Sequence, residues 1–406
     1  MKAPIWLATD VQRSPQSSGS GLTSLPPLSV YVHFPWCIRK CPYCDFNSHE
    51  ARGDIPEAAY LDALERDLDQ SLPLIWGRQV ISVFIGGGTP SLLSASGMDR
   101  LLGLLRSRLR LLPNAEITME ANPGAVEAGR FQAYAASGIN RISLGIQSFD
   151  DAKLQALGRI HSADQARHAI SIAQQAVERV NLDLMFALPE QTLEQCQRDV
   201  SLALSHGTEH LSLYHLTLEP NTVFAKYPPP VPHEDLAADM QAWIEEALTH
   251  AGYEHYEVSA YAKPRGQCRH NLNYWEFGDY LGIGPGAHGK LSFHDRIVRQ
   301  ARLKNPRSWM EALQGGTPDA HLAESVDVAA GDLPFEFMLN ALRLRGGVPS
   351  HRFHDHTGLS LAQIAPALEQ AIGQGLLDDD PAVLKATPKG WLYLNDLLTL
   401  FLPSAR

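Results

Sequence analysis

The sequence predicts an α/β fold, in which a parallel sheet of six strand–helix units is followed by a small, mainly helical C-terminal domain. Short apolar runs alternate with amphipathic segments between residues 28 and 216. The loops between them are short, as in parallel sheets with crossover helices. Polar or glycine-rich residues come where the strands end, and α/β barrels bind their ligands at that edge. We therefore expect one site at the carboxyl ends of the strands.

The predicted strands are apolar runs suited to strands that are covered on both faces. They cover residues 28–34, 80–85, 115–120, 141–146, 181–189 and 210–216. The predicted helices have apolar residues at helical spacing. They cover residues 56–72, 97–110, a segment that ends at Ala136, 151–178 and 192–205. A Pro-rich loop at 217–234 precedes a helix at 235–250, and the C-terminal domain has helices at 332–344 and 361–377.

Composition limits the classes of function. The chain has 406 residues, which is long enough for two domains or for a barrel with an appendage. Its apolar content of 44% is ordinary for a globular protein, and its net charge of −11 argues against a nucleic-acid binder. No segment approaches the roughly 20 apolar residues of a membrane span, so we expect at most a peripheral membrane contact.

The ends of the chain and its cysteines bear on domains and compartment. Residues 1–28 are rich in Ser, Pro and Gly and predict a disordered extension, without the Arg-rich pattern of a transit peptide. We expect a barrel with accessory elements over 29–290, then a linker and the helical domain over 291–406. The chain has five cysteines, and Cys196 and Cys268 stand far apart. That is no disulfide framework, and it predicts a reducing, cytoplasmic location.

Three cysteines in the run HFPWCIRKCPYCDF are the strongest chemical signal. Cys37, Cys41 and Cys44 have C-x3-C-x2-C spacing in a predicted loop after the first strand. Iron–sulfur clusters are usually held by four cysteines. Three thiolates can hold three irons of a cubane cluster and leave the fourth iron open to another ligand. A structural zinc site, with His33 or His49 as fourth ligand, is the alternative, although zinc ligands usually come in two pairs.

Polar groups follow four further strands. The run GGGTP at 86–90 is by itself a tight turn, but glycine also lets the backbone approach a ligand closely. Glu120 and the following Asn-Pro-Gly predict a turn, or a carboxylate that hydrogen-bonds a ligand. Gln147, Arg159 and Asp183 have the same two interpretations, and an arginine can also bind a carboxylate in bidentate fashion.

The run HNLNYW at 270–275 has two interpretations of equal weight. It is either a turn with two buried aromatic residues and a surface histidine, or an element that contacts a porphyrin. His270 could then be an axial haem ligand, with aromatic rings as a flat apolar wall. Cys268 is a second candidate ligand, but lone cysteines are more often buried fillers.

These motifs together resemble the HemN/HemW group of radical S-adenosylmethionine (SAM) proteins. The resemblance rests on YVHFPWCIRKCPYCDF, FIGGGTPSLL, MEANPG, RISLGIQSFD, LGRIHSADQA, NLDLMFALPEQT and RHNLNYW, and it extends over nearly the whole chain after residue 28. It implies an open (β/α)6 barrel, part of a TIM-like barrel, with a small helical C-terminal domain. It also implies a [4Fe–4S] cluster whose open iron binds SAM.

The resemblance assigns roles to matching positions. Cys37, Cys41 and Cys44 would ligate the cluster. Tyr31, Gly87 and Glu120 would contact SAM, and Tyr43 would pack near its adenine. The positions that bind a second SAM in the decarboxylase of the group are Gly88, Thr89, Gln147, Arg159 and Asp183.

Two features favour the haem chaperone branch of that group. The decarboxylase branch has a further cysteine two residues after the third, where this chain has Phe46. HNLNYW matches the H-N-x-x-Y-W element that the chaperone branch uses for haem. The resemblance therefore implies haem as cargo, haem-accepting respiratory apoproteins as partners, and an electron donor such as flavodoxin or ferredoxin.

The alternatives are enzymes of the same group. One is an oxygen-independent coproporphyrinogen III oxidase, which decarboxylates two propionates by means of a SAM-derived radical. The other is a radical methylase or a haem-opening enzyme. Whether SAM is cleaved or only bound stays open at this point.

Overall fold

The computed structural model describes residues 21–22, 24–125 and 128–403. Its strands, in chain order, are β1 Leu28–Phe34, β2 Trp36–Cys37, β3 His49–Glu50, β4 Gln79–Gly87, β5 Arg110–Ala121, β6 Arg141–Gln147, β7 Arg179–Phe186, β8 His210–His215, β9 Glu254–Glu257, β10 Ala260–Ala262, β11 Asp279–Ile283, β12 His288–Ser292, β13 Ile297–Arg302, β14 Leu322–Asp327, β15 Val348–Pro349 and β16 Val383–Leu384.

The α-helices are α1 Glu57–Ser71, α2 Ala95–Arg108, α3 Ala128–Ser137, α4 Asp151–Ala156, α5 Ala163–Ala176, α6 Leu193–Ser205, α7 Val223–Lys226, α8 Glu234–His250, α9 Arg269–Trp275, α10 Pro306–Gln314, α11 Leu333–Ala341, α12 His351–Thr357, α13 Ala365–Gly373, α14 Pro388–Leu392 and α15 Leu394–Thr399. Short 3₁₀ turns cover Leu72–Ile75, Pro90–Leu92, Pro123–Ala125 and Leu361–Ile364.

Six parallel strands form the centre of one large sheet. Strands β1, β4, β5, β6, β7 and β8 lie side by side in chain order. Strand β11 adds to β1 in parallel, and β12 to β14 extend that side in antiparallel fashion. Strands β10 and β9 extend the other side. The predicted fold class, an open (β/α)6 barrel with a helical C-terminal region, is confirmed.

Two apolar cores hold the chain together. The larger lies between the sheet and the helices on its outer side, where alternate strand residues such as Ile142, Leu144 and Ile146 are fully buried. The smaller contains α11 to α15 together with Phe277 and Ile297. None of the helices in the described ranges is long and apolar enough to cross a membrane.

The predicted helix at 151–178 is two helices. Helix α4 ends at Ala156, and α5 begins at Ala163 after a turn. Gly158 in that turn has a positive φ of 70°. Ser162 and Gln165 form a capping box that starts α5. Both signals are visible in the sequence, and the continuous apolar periodicity hid them.

Two other segments also differ from their predictions. The loop at 217–234 contains the short helix α7, which Thr222 caps. The run HNLNYW belongs to helix α9, so it is not a turn, and His270 is not on the outer surface. Both helices are of seven residues or fewer, which is too short for a clear periodic pattern.

The structure is continuous across the predicted domain boundary at residue 290. Most of the predicted N-terminal extension, residues 1–20 and 23, lies outside the described residues. Leu22 is buried, and its N–H donates a hydrogen bond to the His294 carbonyl at 2.9 Å. The large sheet continues past residue 290 to Asp327. We therefore propose that the helical C-terminal unit begins after β14.

Candidate functional site

The cysteine loop lies at the carboxyl end of β1. Strand β2 pairs with β3, so the chain between Cys37 and His49 closes into a loop over the end of the barrel. The N–H of Phe224 in α7 donates to the carbonyl of Pro42 at 3.0 Å. On the opposite side, a Cβ at Gly158 would stand 2.7 Å from the Pro42 ring. The loop is thus held between α7 and the turn that precedes α5.

The three thiols are free and partly exposed. The Sγ of Cys44 lies 3.6 Å from the Ser48 hydroxyl, and the Sγ of Cys41 lies 3.6 Å from Nη1 of Arg159. Burial raises the pKa of the Cys37 and Cys44 thiols, and the hydrogen bond with Ser48 is the largest opposing influence at Cys44. Hydrogen-bond donors beside thiolate sulfurs are one means by which proteins tune an iron–sulfur cluster.

The contacts around the loop bear on the zinc alternative. Within the described ranges, no three His, Cys, Asp or Glu side chains are placed to hold one metal ion. A cubane cluster takes one thiolate per iron, so its ligands stand farther apart. His33 cannot complete a zinc site, because its Nδ1 bonds the Tyr31 hydroxyl and its Nε2 bonds the Asn47 carbonyl, each at 2.9 Å.

The glycine run follows β4 and packs against the barrel itself. Gly87 has a φ of 112°, and a Cβ there would lie 2.5 Å from the His33 ring. A Cβ at Gly88 would lie 2.4 Å from the Trp36 carbonyl oxygen. The sequence offered a tight turn or close approach by a ligand as reasons for these glycines. In the structure, the approach of neighbouring protein already requires them.

Arg159 joins the cysteine loop to three strand ends. Its Nη2 donates to the Gly145 carbonyl at 2.8 Å and to the side chain of Asn122. The Asn122 amide donates in turn to Thr89 Oγ1 at 3.0 Å. A small cleft is lined by Arg159, Asn122, Thr89 and Cys41. The split between α4 and α5 therefore matters to the site, because it puts Arg159 in the turn that reaches the cysteines.

Gln147 and Tyr43 lie beside the same network. Gln147 has a φ of 66°, which bends its side chain over Gly145. A Cβ at Gly145 would lie 3.0 Å from the Gln147 amide nitrogen and 3.3 Å from Arg159 Nη2. Tyr43 packs on Phe224, with ring centroids 6.3 Å apart. Its pKa is raised by burial, although the nearby Arg159 guanidinium opposes the shift.

The interior of the barrel contains an open space, which we call the lumen. Its walls include Tyr31, Phe84, Glu120, Asp183, Tyr214 and His270, which all keep some exposed surface although they lie inside the barrel. Tyr214 is 43% exposed, yet burial among protein atoms raises its pKa. Barrels of this size are otherwise filled by side chains.

Two carboxylates face each other across the upper lumen. Glu120 accepts the Gly87 N–H at 3.0 Å, and burial followed by the charge of Asp183 raises its pKa to about 7. Asp183 accepts hydrogen bonds from Ser143 and Asn181, both at 2.8 Å, but burial still raises its pKa. Burial also raises the pKa of Tyr31, with the Glu120 charge as a second cause.

His270 lies far from the cysteines, in what we call the lower lumen: the half nearest the amino ends of the strands, lined by Ser82, Phe84, Glu116 and His270. Its Nδ1 lies 3.2 Å from the Ser82 hydroxyl, and its ring lies 5.1 Å from the Phe84 ring. Ser82 precedes Gly87 by five residues, about 16 Å at about 3.3 Å per residue. Burial lowers the His270 pKa to about 4, so the imidazole is neutral.

The two remaining cysteines are not near the loop. Cys196 is buried on the outer helix α6. Cys268 is buried below the lumen, where its Sγ donates to Glu116 Oε1 at 3.3 Å, and burial raises its pKa to about 12. Cys268 thus serves as a buried donor, and it does not point to a ligand.

Several residues of the site carried no motif signal. The sequence assigns Asn122 only to a turn and His33 only to the zinc alternative, and it assigns no role to Gly145. Ser143, whose hydroxyl donates a hydrogen bond to Asp183, has no role predicted from the sequence. The signal that could have found them is the alternation of β-strands, since every second residue of each central strand faces the lumen.

Comparison with family models and known proteins agrees with this geometry. Residues 31–203 match the radical SAM superfamily, and residues 328–393 match the HemN C-terminal domain. The second match begins directly after β14. A radical SAM domain implies a [4Fe–4S] cluster and SAM.

Curated relatives extend along almost the whole chain. The haem chaperone HemW of Escherichia coli is 49% identical over 383 residues, which cover 94% of this chain and 100% of the relative. HemW of Haemophilus influenzae is 47% identical, with coverage of 94% and 99%. The mitochondrial radical S-adenosyl methionine domain-containing protein 1 of mouse is 36% identical, with coverage of 98% and 94%.

One solved structure has the same fold along nearly its full length. It is the coproporphyrinogen III oxidase HemN of Escherichia coli, with a TM-score of 0.79, 24% identity and coverage of 93% of this chain and 90% of that one. This likeness concerns the fold alone. The curated relatives show that the chain belongs to the HemW family of the radical SAM superfamily.

Proposed function

We propose that the protein is a haem chaperone, which binds a [4Fe–4S] cluster, SAM and haem and passes haem to acceptor proteins. The observation that carries this proposal is the set of three free thiols at the mouth of a barrel whose lumen is open. The relatives named as haem chaperones support the haem part of the proposal.

Cys37, Cys41 and Cys44 would hold three irons of the cluster. The other two cysteines are buried elsewhere, so the fourth iron would lack a thiolate and could bind SAM. Phe46 stands where the decarboxylase branch has another cysteine, and it is 61% exposed beside the loop. An exposed aromatic ring at that place cannot act as a thiolate ligand.

SAM would lie between the cysteine loop and the upper lumen. Tyr31, Tyr43, Gly87 and Glu120 border that region, and Glu120 retains acceptor capacity beyond its bond to Gly87. We propose a second SAM only as an alternative. It would bind the hydrogen-bond network around Gly88, Thr89, Gln147, Arg159 and Asp183 and compete with the bonds within that network. Gly88, Thr89, Arg159 and Asp183 already have protein partners, which a second SAM would have to share.

Haem would enter the lumen and meet His270. The Nε2 of His270 makes no hydrogen bond with any residue that the structure describes, while Nδ1 bonds Ser82. A neutral imidazole with one free nitrogen can act as an axial haem ligand. The acceptors would be respiratory apoproteins in the cytoplasm or at its membrane, and the electron donor a flavodoxin or ferredoxin.

One anaerobic experiment tests the proposal. Reconstituted protein is titrated with haem, and the same sample is assayed with SAM, reductant and coproporphyrinogen III. We expect stable haem binding without formation of protoporphyrinogen. Turnover at a catalytic rate would overturn the chaperone function and establish the decarboxylase instead. A His270→Ala variant that binds haem as tightly as the unchanged protein would remove His270 as the ligand.

A further inference from the structure

Arg141 is a buried cation in the lumen whose guanidinium has no direct partner within the described part of the chain. It is the first residue of β6 and is only 2% exposed. Ser143 and Gly145 share its side of the strand, while Ile142, Leu144 and Ile146 face the apolar core. Its guanidinium makes no hydrogen bond and no ion pair with a described residue, and its Nε is buried without an acceptor. Buried arginines are almost always paired, so this one requires an explanation.

Glu116, a carboxylate whose charge acts on Arg141, is not that partner. Both oxygens of Glu116 are already occupied by donors from elsewhere. Oε2 accepts from Arg179 Nη1 at 2.5 Å and from the Arg269 N–H at 3.2 Å. Oε1 accepts from the Cys268 thiol at 3.3 Å and from the His270 N–H at 3.2 Å. Glu116 therefore interacts with Arg141 only through its field.

Asp183 does not complete the pairing either. Its two oxygens accept from Ser143 and Asn181, and no ion pair with Arg141 forms within 4 Å. Thr118 lies opposite Arg141 in the sheet, and its Oγ1 is also buried without a hydrogen-bond partner. Two adjacent polar groups of the lumen wall thus lack acceptors in the same place.

The surroundings indicate what kind of group binds there. A guanidinium presents a fork of donors that matches a carboxylate. The lower lumen beside it offers Phe84 and the neutral ring of His270. SAM at the cysteine loop is too distant, because Arg141 precedes Gln147 by six residues, about 20 Å at about 3.3 Å per residue. The site thus suits a ligand with a flat apolar body and a carboxylate at its edge.

We propose that Arg141 is the carboxylate anchor of the lumen, and that it binds a propionate of haem while the macrocycle lies against Phe84 and His270. This inference rests on the proposed function, since haem supplies the carboxylate. It adds a binding residue that fixes how the ligand lies in the barrel. The propionate would enter first, toward the amino ends of the strands.

The test compares haem with its dimethyl ester, which has the same macrocycle and no free carboxylate. Full-length, cluster-loaded protein is titrated with each under anaerobic conditions, and binding is followed by absorption. A charge-assisted bond to a buried partner changes affinity by roughly ten- to a hundredfold. We expect the unchanged protein to prefer haem by such a factor. Equal affinity for both ligands overturns the proposal without any variant.

The variant Arg141→Gln should lose this preference. We expect its affinity for haem to fall to that for the ester, while its affinity for the ester stays within about twofold, because the macrocycle contacts remain. Arg141→Lys should restore part of the preference, since it keeps the charge. Arg167→Gln, at an exposed arginine of α5, is the matched control and should change neither affinity.

Each other outcome has a definite meaning. Equal losses for haem and ester in Arg141→Gln would mean a structural role, and unchanged haem affinity would mean no role; both overturn the anchor and leave the chaperone function intact. A loss confined to SAM binding would overturn haem as the occupant. Failure of the unchanged protein to bind haem at all overturns the proposed function and the anchor together.

Discussion

The carboxyl end of the barrel and its lower lumen both gather polar side chains, but they are built in opposite ways. The carboxyl end is made of short contiguous segments, the cysteine loop and the glycine run, which pack directly on each other. The lower lumen is made of single residues that neighbouring strands contribute, such as Ser82 of β4, Glu116 of β5 and Arg141 of β6. The first region can therefore be recognised from motifs in the sequence, whereas the second forms only when the strands assemble into the sheet.

The two regions also differ in how their charges are satisfied. At the carboxyl end, Arg159 reaches Asn122, the Gly145 carbonyl and the Cys41 sulfur. In the lower lumen, Glu116 is saturated with donors while Arg141 has no acceptor. This contrast suggests that the carboxyl end is largely preorganised by protein contacts, whereas the lower lumen is completed by a ligand.

The largest effect should come from the cysteine loop. Under the proposed ligation, Cys41→Ala removes the thiolate of one iron, and we expect iron and sulfide to fall to background after anaerobic reconstitution, with loss of the cluster absorption. Cys196→Ala, on the outer helix α6, is the matched control and should keep its iron. Full cluster content in Cys41→Ala would show that the loop is not the metal site, and the contrast between the two regions would then fail.

The next effect tests the close packing at the end of β4. Gly87→Ala forces a Cβ toward the His33 ring at a φ of 112°. Strained backbone and overpacking each cost about 1–3 kcal/mol. We expect urea denaturation of the cluster-free protein to show a loss of about 2–4 kcal/mol. A loss well below 1 kcal/mol would mean that this end of the barrel is looser than its contacts indicate.

Glu120 lies between the carboxyl end and the lower lumen, and it should make the stability of the protein depend on pH. Its folded pKa of about 7 lies above the ordinary value of 4.5, so the folded state holds the proton more tightly. The contribution of Glu120 to stability therefore falls as pH rises from about 4.5 to about 7, and is constant above that.

Glu120→Gln removes this dependence and keeps an acceptor for the Gly87 N–H. We expect the variant to gain about 2–3 kcal/mol relative to the unchanged protein between pH 4.5 and pH 8, since each pKa unit is worth about 1.4 kcal/mol and the group is partly exposed. The measurement is the free energy of unfolding of both proteins at each pH. A difference that is flat with pH would contradict the raised pKa.

The smallest expected change in stability is that of Gly103→Ala, which is a control for Gly87→Ala. Gly103 lies within α2, and a Cβ there would meet no atom within 4 Å. Gly103→Ala should stabilise the protein by about 0.4–1 kcal/mol, because alanine loses less backbone entropy on folding. If Gly103→Ala instead destabilised the protein as much as Gly87→Ala, the losses would reflect glycine replacement in general, and not the packing at the end of β4.

The sequence by itself determined the fold class, the order of the strands and the place of the cysteine loop. Apolar runs and turn glycines reflect interactions between residues that are close in the sequence, so they can be recognised without the rest of the chain. The same holds for Cys37, Cys41 and Cys44, whose spacing lies within one loop. The turn between α4 and α5 was also available, through Gly158 and the capping box, but continuous periodicity concealed it.

Only the tertiary structure decided what faces the lumen. His270 lies in the barrel because α9 packs against β4 and β1, which both precede it by more than 180 residues in the chain. Arg141 lacks a partner because Arg179, Arg269, Cys268 and His270 occupy Glu116 first. Burial and hydrogen-bond saturation are properties of the whole assembly of strands, and no local pattern in the sequence encodes them.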